Sequence, residues 1–202
     1  MTIPTNSFNS HVTGQLAVSI TIMALISIIT LAIFYAGIPI FGPINDIITA
    51  VGGLLCALLA WRFHPILHKQ VPGISALLLL LAWGGSAAII INSVLVAFGR
   101  MHWMTGGMYT AIGYGLLGIW LIALHRVIGA QPFLSPGIMR FGTFAAIAML
   151  FGLAAGPLLA SGVTFTKNLL VSLSYLGAAT GWLLFPIWCW LVGRGLLSSW
   201  PQ

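Results

Sequence analysis

Hydrophobic positions along this chain neither alternate strand-fashion nor mark one face of a water-exposed helix. They form six long runs that are apolar all round, at about 16–38, 44–61, 73–98, 107–124, 141–160 and 169–192. Short polar or Pro/Gly-rich stretches separate them. A helix apolar on every side belongs in a core or in lipid. Each run is near the roughly 20 residues that cross the hydrocarbon as a helix. A membrane β-barrel would instead show alternating segments of about ten residues. Helices are also favoured because they satisfy their own backbone hydrogen bonds in lipid. The pattern predicts an all-α, polytopic membrane helix bundle with six transmembrane helices over 16–194, a polar N-terminal tail over 1–15 and a short tail over 195–202. The second and fourth runs are the shortest. The first 15 residues contain no Lys or Arg, so they lack the basic start of a signal peptide, and the first helix is expected to be retained.

Composition reinforces this. The chain is 60% hydrophobic and 4% charged over 202 residues, whereas soluble domains carry about 25% charged residues. So few charges cannot cover a water-facing surface, and the expected surroundings are the lipid bilayer. The net charge of +6 comes from bases scattered singly, not from the clustered patch that nucleic acid requires, so no nucleic-acid partner is expected. With six crossings, Arg62, Lys69, Arg126, Arg140 and Arg194 share one side, and Arg100 and Lys167 the other. That excess predicts a cell-membrane protein with both termini cytoplasmic. Trp61, Trp103, Trp188, Trp190 and Trp200 lie near run ends, as in an interfacial aromatic belt.

Two internal features concern packing. The stretch from Gly37 to Pro43 echoes that from Gly129 to Pro136, and Phe98-Gly99-Arg100 echoes Val192-Gly193-Arg194. Such an echo would make the halves a 3+3 inverted repeat, a plan known from transporters. Chance likeness between apolar segments accounts for it more simply. Gly152 with Gly156, and Gly177 with Gly181, form two GxxxG patterns. These are expected to let helices pack closely, within the chain or against a homodimer or another membrane protein.

Candidate chemistry is sparse. Asp46 is the single acid. With Asn45 it follows a proline turn at the start of the second run, where a carboxylate suits a helix N-terminus. Ionisable groups in membrane domains also tend to be paired and functional. On the predicted topology, Asp46, Asn45, Asn92, Arg100 and His102 lie toward the outer side. They are the candidate ligand-binding cluster, with Asp46 paired to Arg100 or Lys167. His64 and His68 have i, i+4 spacing, but Pro65 is expected to break the helix there, and metal sites need three or four ligands. Cys56 and Cys189 lie inside apolar runs without a CxxC motif and read as small buried hydrophobes. No P-loop, HExxH or GxSxG motif is present, and one acid cannot form a carboxylate pair. No metal, cofactor or catalytic residue is expected.

The segments Phe41-Gly-Pro-Ile-Asn-Asp46 and Phe185-Pro-Ile-Trp-Cys-Trp-Leu-Val-Gly-Arg194 resemble those of bacterial six-span integral membrane proteins with no assigned activity. That resemblance implies about six helices and supplies no functional residues. Three functions remain open from the sequence. One is binding or transport of a small apolar or weakly polar molecule within the bundle. The others are a non-catalytic structural or regulatory subunit, and a membrane enzyme acting on a lipid-soluble substrate.

Overall fold

A computed structural model describes residues 9–129, 134–161 and 169–198. It contains α1 (Ser10–Tyr35), α2 (Phe41–Gln70), α3 (Pro72–Ala97), α4 (Trp103–Ile128), α5 (Pro136–Leu150), α6 (Ala155–Ser161) and α7 (Leu169–Ser198). A 3₁₀ turn, Phe151–Ala154, joins α5 to α6. These segments make six helical spans long and apolar enough to cross a membrane, the fifth being Pro136–Ala160. The chain is a multi-pass, six-helix membrane protein.

The helices outrun the apolar stretches because a helix can continue through the polar headgroup zone. Asn9 Oδ1 accepts from the Val12 N–H and starts α1 at Ser10, ahead of the apolar run. Ser135 and His102 cap α5 and α4 in the same way. Gly37, Gly99 and Gly129 adopt positive φ just beyond α1, α3 and α4, the usual glycine device for leaving a helix. The expectation that Pro65 breaks the second helix is corrected. α2 passes through Pro65 and ends only at Gln70. Proline removes one backbone bond and crowds the preceding turn, but membrane helices tolerate that loss. Val71 alone separates α2 from α3, which opens on Pro72.

The fifth span changes winding in its middle. Pro157 has no N–H to offer the carbonyl one turn before it, and the chain tightens into 3₁₀ geometry just upstream. This places the Gly152 backbone against the Ala111 carbonyl on α4 and against Gly177 on α7.

Sequential helices pack as neighbours from α1 to α5, α5 packs on α7, and α7 closes the ring on α1. α4 is drawn inward and also touches α2 and α7. In its most apolar stretch 61% of α4 is buried inside the bundle, against 22% for α1. The fourth run, among the shortest in apolar length, is therefore the central helix. Its glycines allow this: a Cβ on Gly113 would lie 2.6 Å from the Gly85 carbonyl oxygen of α3. The start of α1 meets the end of α7 at Gly14 and Gly193, and meets the end of α2 through Arg62. The two halves pack differently, since α4 contacts α7 while α1 and α3 do not touch.

Candidate functional site

Polar side chains from three helices converge between α1, α2 and α7. On α1, Ser27 and Thr30 are buried. Ser27 Oγ donates to Asn45 Oδ1 of α2 at 2.6 Å, and Thr30 Oγ1 lies 3.4 Å from the same oxygen. Thr49, one turn along α2, lies 3.3 Å from Ser27 Oγ and also donates to the Asn45 carbonyl at 2.9 Å. From α7, Trp182 Nε1 donates to Ser27 Oγ at 3.2 Å. Ser27 is thus the shared node. Asn45 is four residues into α2 and Ser27 eight residues before the end of α1, so the cluster sits toward the Asp46 end of the bundle.

Local sequence explains each placement. Asn45 and Thr49 are four residues apart and share a helix face. Ser27 and Thr30 likewise face one way, and Thr30 adds a bond back to the Ile26 carbonyl of its own helix. Hydroxyls in membrane helices commonly bond to their own backbone. Here Ser27 is spent across helices instead.

Beside the cluster lies a cavity of about 30 Å³. Ser27, Thr49 and Trp182 give it a polar side, while Ile20, Met23 and Phe185 are among its apolar lining. Gly52 borders it too, and no atom lies within 4 Å of a Cβ built there. Tyr114 of the central helix forms part of the wall. Thr21 Oγ1 donates to the Pro186 carbonyl at 2.8 Å, tying α1 to α7. A second hollow, lined by Pro43, Ile44, Ile47, Ile48, Ala97 and Phe98, presents only apolar side chains.

No family model, curated protein or solved structure matches the chain. The site is therefore judged on its own geometry.

Of the residues singled out in sequence, Asn45 is in the cluster and Asp46 follows it on α2, half-buried. Among the described residues no side chain bonds or pairs with Asp46. Arg100 is exposed in the α3–α4 turn, beyond ion-pair distance of Asp46. Lys167, the other expected partner, lies outside the described residues. His102 is exposed and caps α4 through Met104 N at 3.4 Å. Asn92 is buried between α3 and α4, where Nδ2 donates to the Ala88 carbonyl of its own helix at 2.6 Å. Among the described residues no hydrogen bond or ion pair links these five to one another. Ser27, Thr30, Thr49 and Trp182 were not anticipated. One signal was present: Asn45 and Thr49 are spaced to share a face of the second run. His64 and His68 do share a face, with ring centroids 5.8 Å apart. Among the described residues no group of three or more His, Cys, Asp or Glu side chains gathers as a metal site would require.

Proposed function

We propose that this membrane protein binds a small, neutral, weakly polar molecule in the cavity beside Ser27, Thr49 and Trp182. The observation that carries this reading is the convergence of hydrogen-bonding side chains from three helices on one cavity inside a membrane domain. Polar groups are costly in lipid and tend to mark ligand paths. Small-molecule sites generally pair an apolar wall with a few placed polar groups. The volume restricts the occupant: about 30 Å³ is room for one or two molecules the size of water. A charged ligand is disfavoured, because every polar group lining the cavity is neutral. Asp46 stands next to the cluster on α2 and would act at the approach from its end.

The packing favours this over a subunit whose glycines seat a partner. Gly152, Gly177 and Gly181 all meet their own chain, leaving Gly156 alone of the four with open space beside it. For orientation, we propose a cell-membrane location with both termini cytoplasmic. In the sequence, Arg62, Lys69, Arg126, Arg140 and Arg194 on one side, against Arg100 and Lys167 on the other, support it.

The test is thermal unfolding in detergent with methanol as the probe. At ten times its Kd a ligand should stabilise the protein by about 1.4 kcal/mol. Gly52→Leu, which places a side chain in the free space, should abolish the shift while leaving the unliganded protein folded. Equal shifts in both proteins, or none in the parent, would refute the site.

A further inference from the structure

We infer that Arg62 holds the phosphate of an anionic phospholipid at the basic end of the bundle. The observation is a guanidinium without a counter-charge. Its Nη2 donates to the Asn9 carbonyl at a long 3.4 Å, and its Nε is buried without an acceptor. Nη1 makes no hydrogen bond among the described residues. The sole acidic side chain, Asp46, is 16 positions earlier on the same helix, about 24 Å away at the helical rise of roughly 1.5 Å per residue. No carboxylate side chain of this chain can therefore neutralise Arg62.

The depth is that at which α1 begins, since Arg62 reaches the backbone of Asn9, the cap of that helix. Trp61, the preceding residue, is exposed and stacks on the exposed Trp83 of α3 with centroids 5.5 Å apart. At the same end, Arg194 lies 6.0 Å above the Trp190 ring. α2 runs eight residues past Arg62, about 12 Å at the same rise, so its last turns carry the helix on toward the headgroups. Asn9 holds Arg62 at the start of α1, from where its long side chain can reach up to the headgroups. Its free N–H groups match phosphate oxygens, which guanidinium binds in paired fashion. Exposed apolar side chains below it, Leu58 and Leu54 on α2 and Val12 on α1, offer a surface to acyl chains. A lipid therefore fits better than free phosphate.

The experiment uses the full chain in mixed phosphatidylcholine and phosphatidylglycerol nanodiscs, with retained lipids counted by native mass spectrometry. The parent should retain phosphatidylglycerol preferentially. Arg62→Gln should cut that preference about tenfold, the scale of one charge-assisted hydrogen bond. Arg62→Lys should keep part of it, and carries the test if the glutamine variant does not fold. Arg140→Gln, at the same end, should leave it intact. Inorganic phosphate should not displace the lipid. Unchanged preference in Arg62→Gln, an equal loss in Arg140→Gln, or displacement by inorganic phosphate would each overturn the assignment.

Discussion

Gly177→Ala is expected to destabilise the bundle by about 3 kcal/mol, at the upper end of ordinary overpacking. A methyl there would run into the backbone of Gly152 and Phe151, not into a flexible side chain. Neither partner can yield easily, because the 3₁₀ turn is itself held against the Ala111 carbonyl of the central helix. Intrinsic propensity pushes the other way, since alanine gains about 1 kcal/mol over glycine inside a helix. Backbone contact therefore decides the sign. Gly84→Ala on α3 is the matched comparison: no atom lies within 4 Å of its Cβ, so propensity alone should act. Unfolding in detergent by graded denaturant reads both. A neutral Gly177→Ala would mean that α7 does not approach the fifth span this closely.

Trp188→Ala is expected to cost about 3–5 kcal/mol, the usual range for deleting a large buried aromatic side chain. Trp188 is fully buried on α7. It stacks on Phe185 at 5.7 Å and meets the His125 ring edge-on at 5.5 Å. Gly142 of α5 supplies the remaining wall, where even a Cβ would lie 2.5 Å from the indole nitrogen. Three helices thus lose a shared contact. Trp188→Phe keeps much of the ring and removes an indole N–H that is buried without a partner. It should therefore cost clearly less than Trp188→Ala, because a phenyl ring leaves a smaller cavity. Both variants remove the N–H, so the difference between them isolates the packing of the ring.

The six spans were legible because a helix apolar on all sides cannot be mistaken for a water-facing one. Their ends were less so. Asn9 and His68 lie outside the apolar runs, yet the first caps α1 and the second sits in the last turn of α2. Polar residues continue a helix once it reaches the headgroups, so hydropathy underestimates length. Pro65 misled for a related reason: proline disfavours a helix without always ending it.

The site was legible only in part. Asn45 drew attention through its neighbour, the sole acid, and the structure joins it to Ser27 and Thr49. Ser27 and Thr30 were hidden because hydroxyls within apolar helices usually bond to their own backbone. Nothing in sequence says that Ser27 reaches α2 and α7 instead. That follows from α1 packing between those two helices, a long-range fact. Asn92, Arg100 and His102 were grouped with Asp46 by depth alone. Depth does not fix which side of a helix a residue occupies, and no hydrogen bond or ion pair joins these three to Asp46 among the described residues.

Six crossings underlie both the buried cluster and the basic end. Single cysteines on a Cys56→Ser, Cys189→Ser background, probed in intact cells with a membrane-impermeant thiol reagent, test this most directly. Cysteines at 69, 126 and 198 should react only after the membrane is opened, whereas those at 38 and 100 should react from outside. Labelling of 69 and 100 from the same side would contradict the six-span arrangement.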